Sequence, residues 1–110
     1  MKKFILLYNG PATKPEDMTP EMRNAIMAKW GEWMGKVGSA MVDMGQPMAN
    51  GIAVVDDGSA GQAILLNGYS IIQAEDMEAA KALVNDHPFL SDHSGKFSVE
   101  IHELLPIPKM

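Results

Sequence analysis

Cysteine is absent from the 110 residues. No disulfide framework and no thiolate zinc site can form, and the absence fits a reducing cytoplasm. Positive charge is scarce as well. Nine lysines and arginines face fourteen acids, for a net charge of −5, and apart from the adjacent Lys2 and Lys3 the basic residues are scattered singly. No basic stripe exists to neutralise phosphates, so nucleic acid is not an expected partner. An anionic membrane surface is disfavoured for the same reason. Long apolar runs are missing too. The opening Met1-Lys2-Lys3-Phe4-Ile5-Leu6-Leu7-Tyr8 resembles a signal peptide for a few residues, then breaks at Asn9-Gly10-Pro11. That run is too short for a signal-peptide core and far too short to span a bilayer. It reads as a strand, in a cytoplasmic protein with no membrane partner.

The common catalytic motifs are also missing. There is no cysteine nucleophile, no G-x-S-x-G, no G-x-x-x-x-G-K and no G-x-G-x-x-G after a strand. Gly58-Ser59-Ala60-Gly61 looks superficially like a phosphate loop, but it lacks a lysine and a following helix. It reads as a hairpin turn, and no cofactor is expected.

A chain of this length makes one domain, 1–110. It buries roughly 65% of its unfolded surface, enough for a core without staples. Methionine is the one abundant oddity: seven of the ten fall between residues 18 and 48. Methionine fills irregular gaps and tolerates repacking. The plain reading is a soft core; the sharper one is an adaptable apolar pocket or a subunit contact.

Residues 3–8 are apolar, aromatic and β-branched and form a first strand. A polar loop follows. Thr19 caps a helix, with Pro20 at its first position and Glu21 in its first turn. Ile26, Trp30, Trp33, Met34, Val37 and Met41 recur at helical spacing and carry the helix to a glycine stop at Met44-Gly45. Gly31, Gly35 and Gly38 each weaken it by roughly 1 kcal/mol against alanine, and they leave room for another backbone to pack closely. Residues 51–55 read as a second strand, Asp56-Asp57-Gly58-Ser59 as a turn, and 63–66 as a short strand segment. Residues 68–90 then state a half-fold compactly. A strand over 69–74 leads to the cap Asp76, a helix with Met77, Ala80, Leu83 and Val84 on its apolar face, and a stop at Pro88. The last strand covers 97–104.

The order is β-α-β-β-α-β. With right-handed crossovers it gives an α+β, ferredoxin-like fold, an antiparallel sheet with both helices on one face. The other face must meet water or another surface. The first strand offers Phe4, Leu6 and Tyr8 to one face and Ile5 and Leu7 to the other. The third sets Tyr69 and Ile71 opposite Ile72 and Ala74. Both central strands therefore look covered on two sides, which a second copy packed sheet to sheet would achieve. A homodimer is expected.

Together these segments resemble the YCII-related domain family, small proteins with a dimeric ferredoxin-like α/β barrel fold. The resemblance rests on Lys3-Phe4-Ile5-Leu6-Leu7-Tyr8, Trp30-Gly31-Glu32-Trp33-Met34, Gly45-Gln46-Pro47, Asn67-Gly68-Tyr69-Ser70-Ile71-Ile72 and Asp86-His87-Pro88-Phe89. Their order and spacing are more specific than any one of them. The resemblance implies, in one branch of the family, a histidine on the first helix acting with an aspartate. The matching stretch here, Met27-Ala28-Lys29, has no imidazole. Another branch carries Asp-Gly-Pro-Phe where this chain has Asp56-Asp57-Gly58-Ser59. Neither hallmark carries over.

The histidines come first among candidate site residues, because imidazole titrates near physiological pH. His87 lies between Asp86 and Pro88 at the end of the second helix. Its plain reading is a helix C-terminal imidazole favoured by the dipole. Its functional reading is a general base paired with Asp86 or with a residue across the dimer. His93, beside Asp92, is expected to be solvated. Asp86, His87, Asp92 and His93 lack the spacing of a helical ligand pair, so no metal site is expected. His102 shares a strand face with Glu100, away from the helices; such surface pairs are common and weak. Tyr8, Trp30, Trp33 and Tyr69 are large aromatics with polar handles, most simply core. Tyr8, Trp30 and Tyr69 are the candidate pocket walls. Two functions stay open. One is a dimeric domain that binds a small-molecule ligand or serves as an accessory or regulatory module. The alternative is a small-molecule enzyme using His87 or His102 in acid/base proton transfer.

Overall fold

The computed structural model describes residues 1–11, 18–85, 87–90 and 94–108. In chain order it runs β1 (Lys2–Asn9), α1 (Pro20–Val37), β2 (Met41–Asp43), β3 (Ile52–Val54), β4 (Ala60–Gln62), β5 (Leu66–Ala74), α2 (Met77–Val84) and β6 (Ser98–Leu104). Four strands form one antiparallel sheet in the order β2-β5-β1-β6. This is the ferredoxin-like arrangement, with a hairpin inserted between its second and third strands.

Alternation sorts the side chains. Phe4, Leu6 and Tyr8 of β1 and Ile72 and Ala74 of β5 are buried on the helix side. Trp33 and Val37 of α1 and Ala80 and Val84 of α2 close over them in one core cluster. The helices are tied to each other by polar bonds as well. The indole N–H of Trp33 donates to the Leu83 carbonyl at 2.8 Å, and the Lys36 ammonium donates to the Asn85 carbonyl at 2.8 Å. On the opposite face Ile5 stands across from Ile71, and Leu7 across from Tyr69; all four are only half-buried.

The local start signals work as their chemistry dictates. The Thr19 hydroxyl accepts the Met22 N–H at 3.1 Å, and the Asp76 carboxylate accepts the Ala79 N–H at 2.8 Å. The stops differ from expectation. Helix α1 ends at Val37, not at Met44-Gly45. Gly38 turns to φ 56°, a backbone region open to glycine, and a 3₁₀ turn leads straight into β2. Val37 and Met41 are four residues apart, a spacing that suits a continued helix but equally a strand after one tight turn. Helix α2 likewise stops at Val84, before Pro88.

The strand expected over 51–55 does not join the main sheet. Its place beside β5 is taken by Met41–Asp43. β3 pairs with β4 in a separate hairpin, whose second strand is Ala60–Gln62 rather than 63–66. The turn between them is the expected one: Val55 N–H donates to the Ser59 carbonyl at 2.9 Å, and Gly58 has φ 91°. The hairpin exposes Ile52 and Val54, each at 83%. It also stretches the molecule. The radius of gyration is 15.8 Å, against about 13 Å for a compact chain of this length.

Two further expectations change. None of the seven methionines between 18 and 48 is fully buried; Met34 and Met41 pack against the core from its edge, and Met22, Met27, Met44 and Met48 are exposed. Gly31, Gly35 and Gly38 approach no other backbone among the described residues, since an added Cβ would meet nothing within 4 Å there. The close approach is made by Gly45 instead. At φ 77° it lies so near the Tyr69 carbonyl that a Cβ would overlap that oxygen.

Candidate functional site

A cavity of about 300 Å³ opens between α1, β5 and the segment that leaves β2. Trp30, Trp33 and Met34 come from the helix, and Met41, Met44, Gly45, Gln46 and Pro47 from the second side. Tyr8 and residues 67–70 form the sheet wall. Glycine shapes that wall. Gly68 stands across from Tyr8 in the sheet register, and its missing side chain lets Pro47 bridge to it. A Cβ at Gly68 would come within 3.0 Å of the Gln46 carbonyl. All three pocket candidates, Tyr8, Trp30 and Tyr69, line this cavity.

Behind the cavity lies a buried chain of hydrogen bonds. Phe89 N–H donates to His87 Nδ1 at 3.0 Å. His87 Nε2 lies 3.2 Å from the Tyr8 hydroxyl. The Tyr8 hydroxyl donates to Ser70 Oγ at 2.7 Å, and Ser70 Oγ donates to the Met44 carbonyl at 2.8 Å. His87 and Ser70 are each 1% exposed and Tyr8 4%. The imidazole is wrapped by aromatic rings: Trp33, Trp30 and Tyr8 lie at centroid distances of 4.2, 4.8 and 5.0 Å.

This placement differs from a surface imidazole at a helix end. His87 does follow α2, and its N–H bonds the Val84 carbonyl at 3.0 Å. Its ring, however, turns inward, and burial pushes its pKa down to about 4. Burial disfavours the charged imidazolium, and that is the cause of the fall. Both ring nitrogens are engaged, so His87 offers no free lone pair for taking a proton. Tyr8 is held as a neutral phenol. Burial pushes its pKa up to about 12, with the bond to Ser70 pulling weakly the other way.

His102 lies elsewhere, on the open face of the sheet, where Nε2 sits 2.9 Å from Glu100 Oε1. The second oxygen of Glu100 accepts from Asn9 Nδ2 at 2.9 Å. Both members of the His102–Glu100 pair are about half exposed, and they stand across from Ile5 and Leu7 on the face away from the helices. Asp86, Asp92 and His93, named above as a base partner and as metal-ligand candidates, lie outside the described residues.

Ser70 and the Met44 carbonyl were not among the expected site groups. One signal for Ser70 was available. It is the polar residue in the inward-facing series Gly68, Ser70, Ile72, Ala74, and a buried hydroxyl needs a partner. The carbonyl of Met44 and the N–H of Phe89 carry no sequence signal, because every residue but proline has both groups.

The profile of the YCII-related domain matches residues 1–104. The chain belongs to the YCII-related domain family. A search of curated proteins found no match. Among solved structures, it resembles 5-chloro-2-hydroxyhydroquinone dehydrochlorinase (TftG) from Burkholderia phenoliruptrix AC1100, in complex with 2,5-dihydroxybenzoquinone. The TM-score is 0.53 at 16% identity, over 91% of this chain and 90% of that one. At that identity the likeness is one of fold.

Burial of His87 makes a pH prediction. Above pH 6.5 neither folded nor unfolded chains hold the imidazole proton. Between 6.5 and about 4 the unfolded chain holds it and the folded chain does not, so stability falls as pH falls through that window. At about 1.4 kcal/mol per pH unit the loss is on the order of 3 kcal/mol. His87→Gln keeps a donor and an acceptor but does not titrate. Urea unfolding across pH 4–7 should give the variant the shallower slope; equal slopes would contradict the buried neutral imidazole.

Proposed function

We propose that this member of the YCII-related domain family is a binding module for a small planar molecule, held between α1, β5 and the 44–47 segment. The observation that carries this reading is the cavity itself, about 300 Å³ walled by aromatic and methionine side chains, with the hydroxyl residues Tyr8, Tyr69 and Ser70 in the sheet wall. A dry void of about 150 Å³ already accepts benzene, so a molecule of one or two rings suits the space. Flexible methionines at Met34, Met41 and Met44 let the wall adapt to its occupant. The dehydrochlorinase of like fold is in complex with 2,5-dihydroxybenzoquinone, a single ring, which supports the same size class here. An accessory or regulatory role, at a cytoplasmic location, is part of this proposal.

The acid/base alternative has weaker support. His87 has both nitrogens engaged among neutral groups, and His102 pairs with Glu100 on an exposed face. Among the described residues, neither histidine meets a carboxylate within the cavity wall.

A homodimer belongs to the same proposal. Ile5, Leu7, Tyr69 and Ile71 form a half-covered apolar square on the two central strands. A twofold packing of that face on a second copy removes it from water. The apolar hairpin residues Ile52 and Val54 add surface that a partner would cover.

Thermal melting against a panel of one- and two-ring compounds should give an upward shift with at least one of them. Met34→Trp, which fills the cavity from the helix side, should remove that shift. A wild-type protein indifferent to every ring compound would contradict the binding reading. Light scattering at micromolar concentration should give twice the 12.0 kDa chain mass, and Ile71→Glu should return it to the monomer. A wild-type particle of single-chain mass would refute the dimer.

A further inference from the structure

The two ends of the buried chain fix every proton in it. At one end stands a backbone N–H, that of Phe89, which can only donate; it claims the Nδ1 lone pair of His87. The neutral imidazole must then carry its hydrogen on Nε2, and at 3.2 Å that hydrogen points to the Tyr8 oxygen. At the other end stands a backbone carbonyl, that of Met44, which can only accept. It takes the one proton of Ser70, so Ser70 must accept from Tyr8, as the 2.7 Å contact requires. The polarity cannot reverse without stranding a backbone group in the interior, at a cost of about 1–3 kcal/mol.

The result is an unusual kind of polar wall. Tyr8 and Ser70 both line the cavity, and both have spent their hydrogens on the chain. Each hydroxyl oxygen keeps one unused lone pair. Asn67 spends one side-chain N–H on the Gly10 carbonyl at 2.9 Å. Gln46 and Tyr69 also line the cavity and can offer either polarity, but Gln46 is exposed and Tyr69 alternates to the other face of β5 from Ser70. Two hydroxyl side chains, which would ordinarily serve as donors or acceptors, are thus locked as acceptors.

We infer that this cavity selects ring compounds that donate a hydrogen bond at the Tyr8–Ser70 side, such as a phenolic hydroxyl or a ring N–H, and rejects the same ring bearing an ether or carbonyl oxygen there. The inference rests on the cavity being a ligand site, as proposed above. Its basis is the direction of the chain: an acceptor on the ligand would face an acceptor on the wall, and both would lose water without gaining a bond. Ser70→Ala reverses the rule. Without Ser70 the Tyr8 O–H has no acceptor, and it becomes a donor available to the ligand.

Phenol, toluene and anisole separate the possibilities, with binding followed by amide and indole shifts of the whole protein in NMR titrations. Toluene matches phenol in shape but has no donor, and anisole has only an acceptor. The expected order is phenol first, about tenfold tighter than either of the others, the equivalent of about 1.4 kcal/mol. In Ser70→Ala anisole should gain on phenol, a swap that loss of packing alone would not produce. Toluene binding as tightly as phenol or tighter, or anisole ahead of phenol in the wild type, would overturn the inference and leave the cavity a ligand site. Failure of all three to bind would overturn the ligand site itself, and the inference with it.

Discussion

A buried imidazole left unsatisfied at either nitrogen costs about 1–3 kcal/mol, a large share of a domain's net stability. In this protein the means of satisfying His87 ties the architecture together. The partners come from four separated pieces of chain: Phe89 after α2, Tyr8 on β1, Ser70 on β5 and Met44 beyond β2. Each link is an ordinary hydrogen bond, worth about 1 kcal/mol net. Their joint effect is geometric. They fix the distance between the two central strands' inner faces, the chain after α2 and the segment that forms the cavity's second wall. The rings of Trp30 and Trp33 close the same group from above.

The cavity follows from that arrangement. Gly45 packs its backbone against the Tyr69 carbonyl, and Gly68 leaves its side-chain space to the 46–47 segment. These two glycines bring the exit of β2 down onto β5, and Ser70 then reaches the Met44 carbonyl. What is left between that segment and α1 is a ring-sized space with apolar walls and one polar edge. The β3–β4 hairpin and the first half of α1, by contrast, leave Ile52, Val54, Met22 and Met27 exposed.

Much of the fold was legible from local chemistry. Thr19, Pro20 and Asp76 mark helix starts because their effect needs only neighbours three residues away. The alternation in β1 and β5 sorts inward from outward residues without any knowledge of topology. The misreadings have a common physical origin. The apolar spacing through Val37 and Met41 does not distinguish a helix that continues from one that a left-handed glycine ends. The β-branched run at 51–55 states strand propensity, but which sheet it joins depends on competition with Met41–Asp43 for the edge of β5. The site was legible only in part. Tyr8, Trp30 and Tyr69 stand out as amphipathic aromatics, whereas the burial of His87 depends on a contact with Tyr8, 79 residues away in sequence, and on main-chain groups that every residue has.

The direction of the buried chain, and with it the neutral state of His87, is the claim on which the rest stands. Long-range ¹H–¹⁵N correlation of the imidazole reads both at once. At pH 6 the account requires a neutral His87 ring with the hydrogen on Nε2 and a bare Nδ1, unchanged as the pH is raised to 8. A ring protonated at Nδ1, or an imidazolium at pH 6, would contradict it.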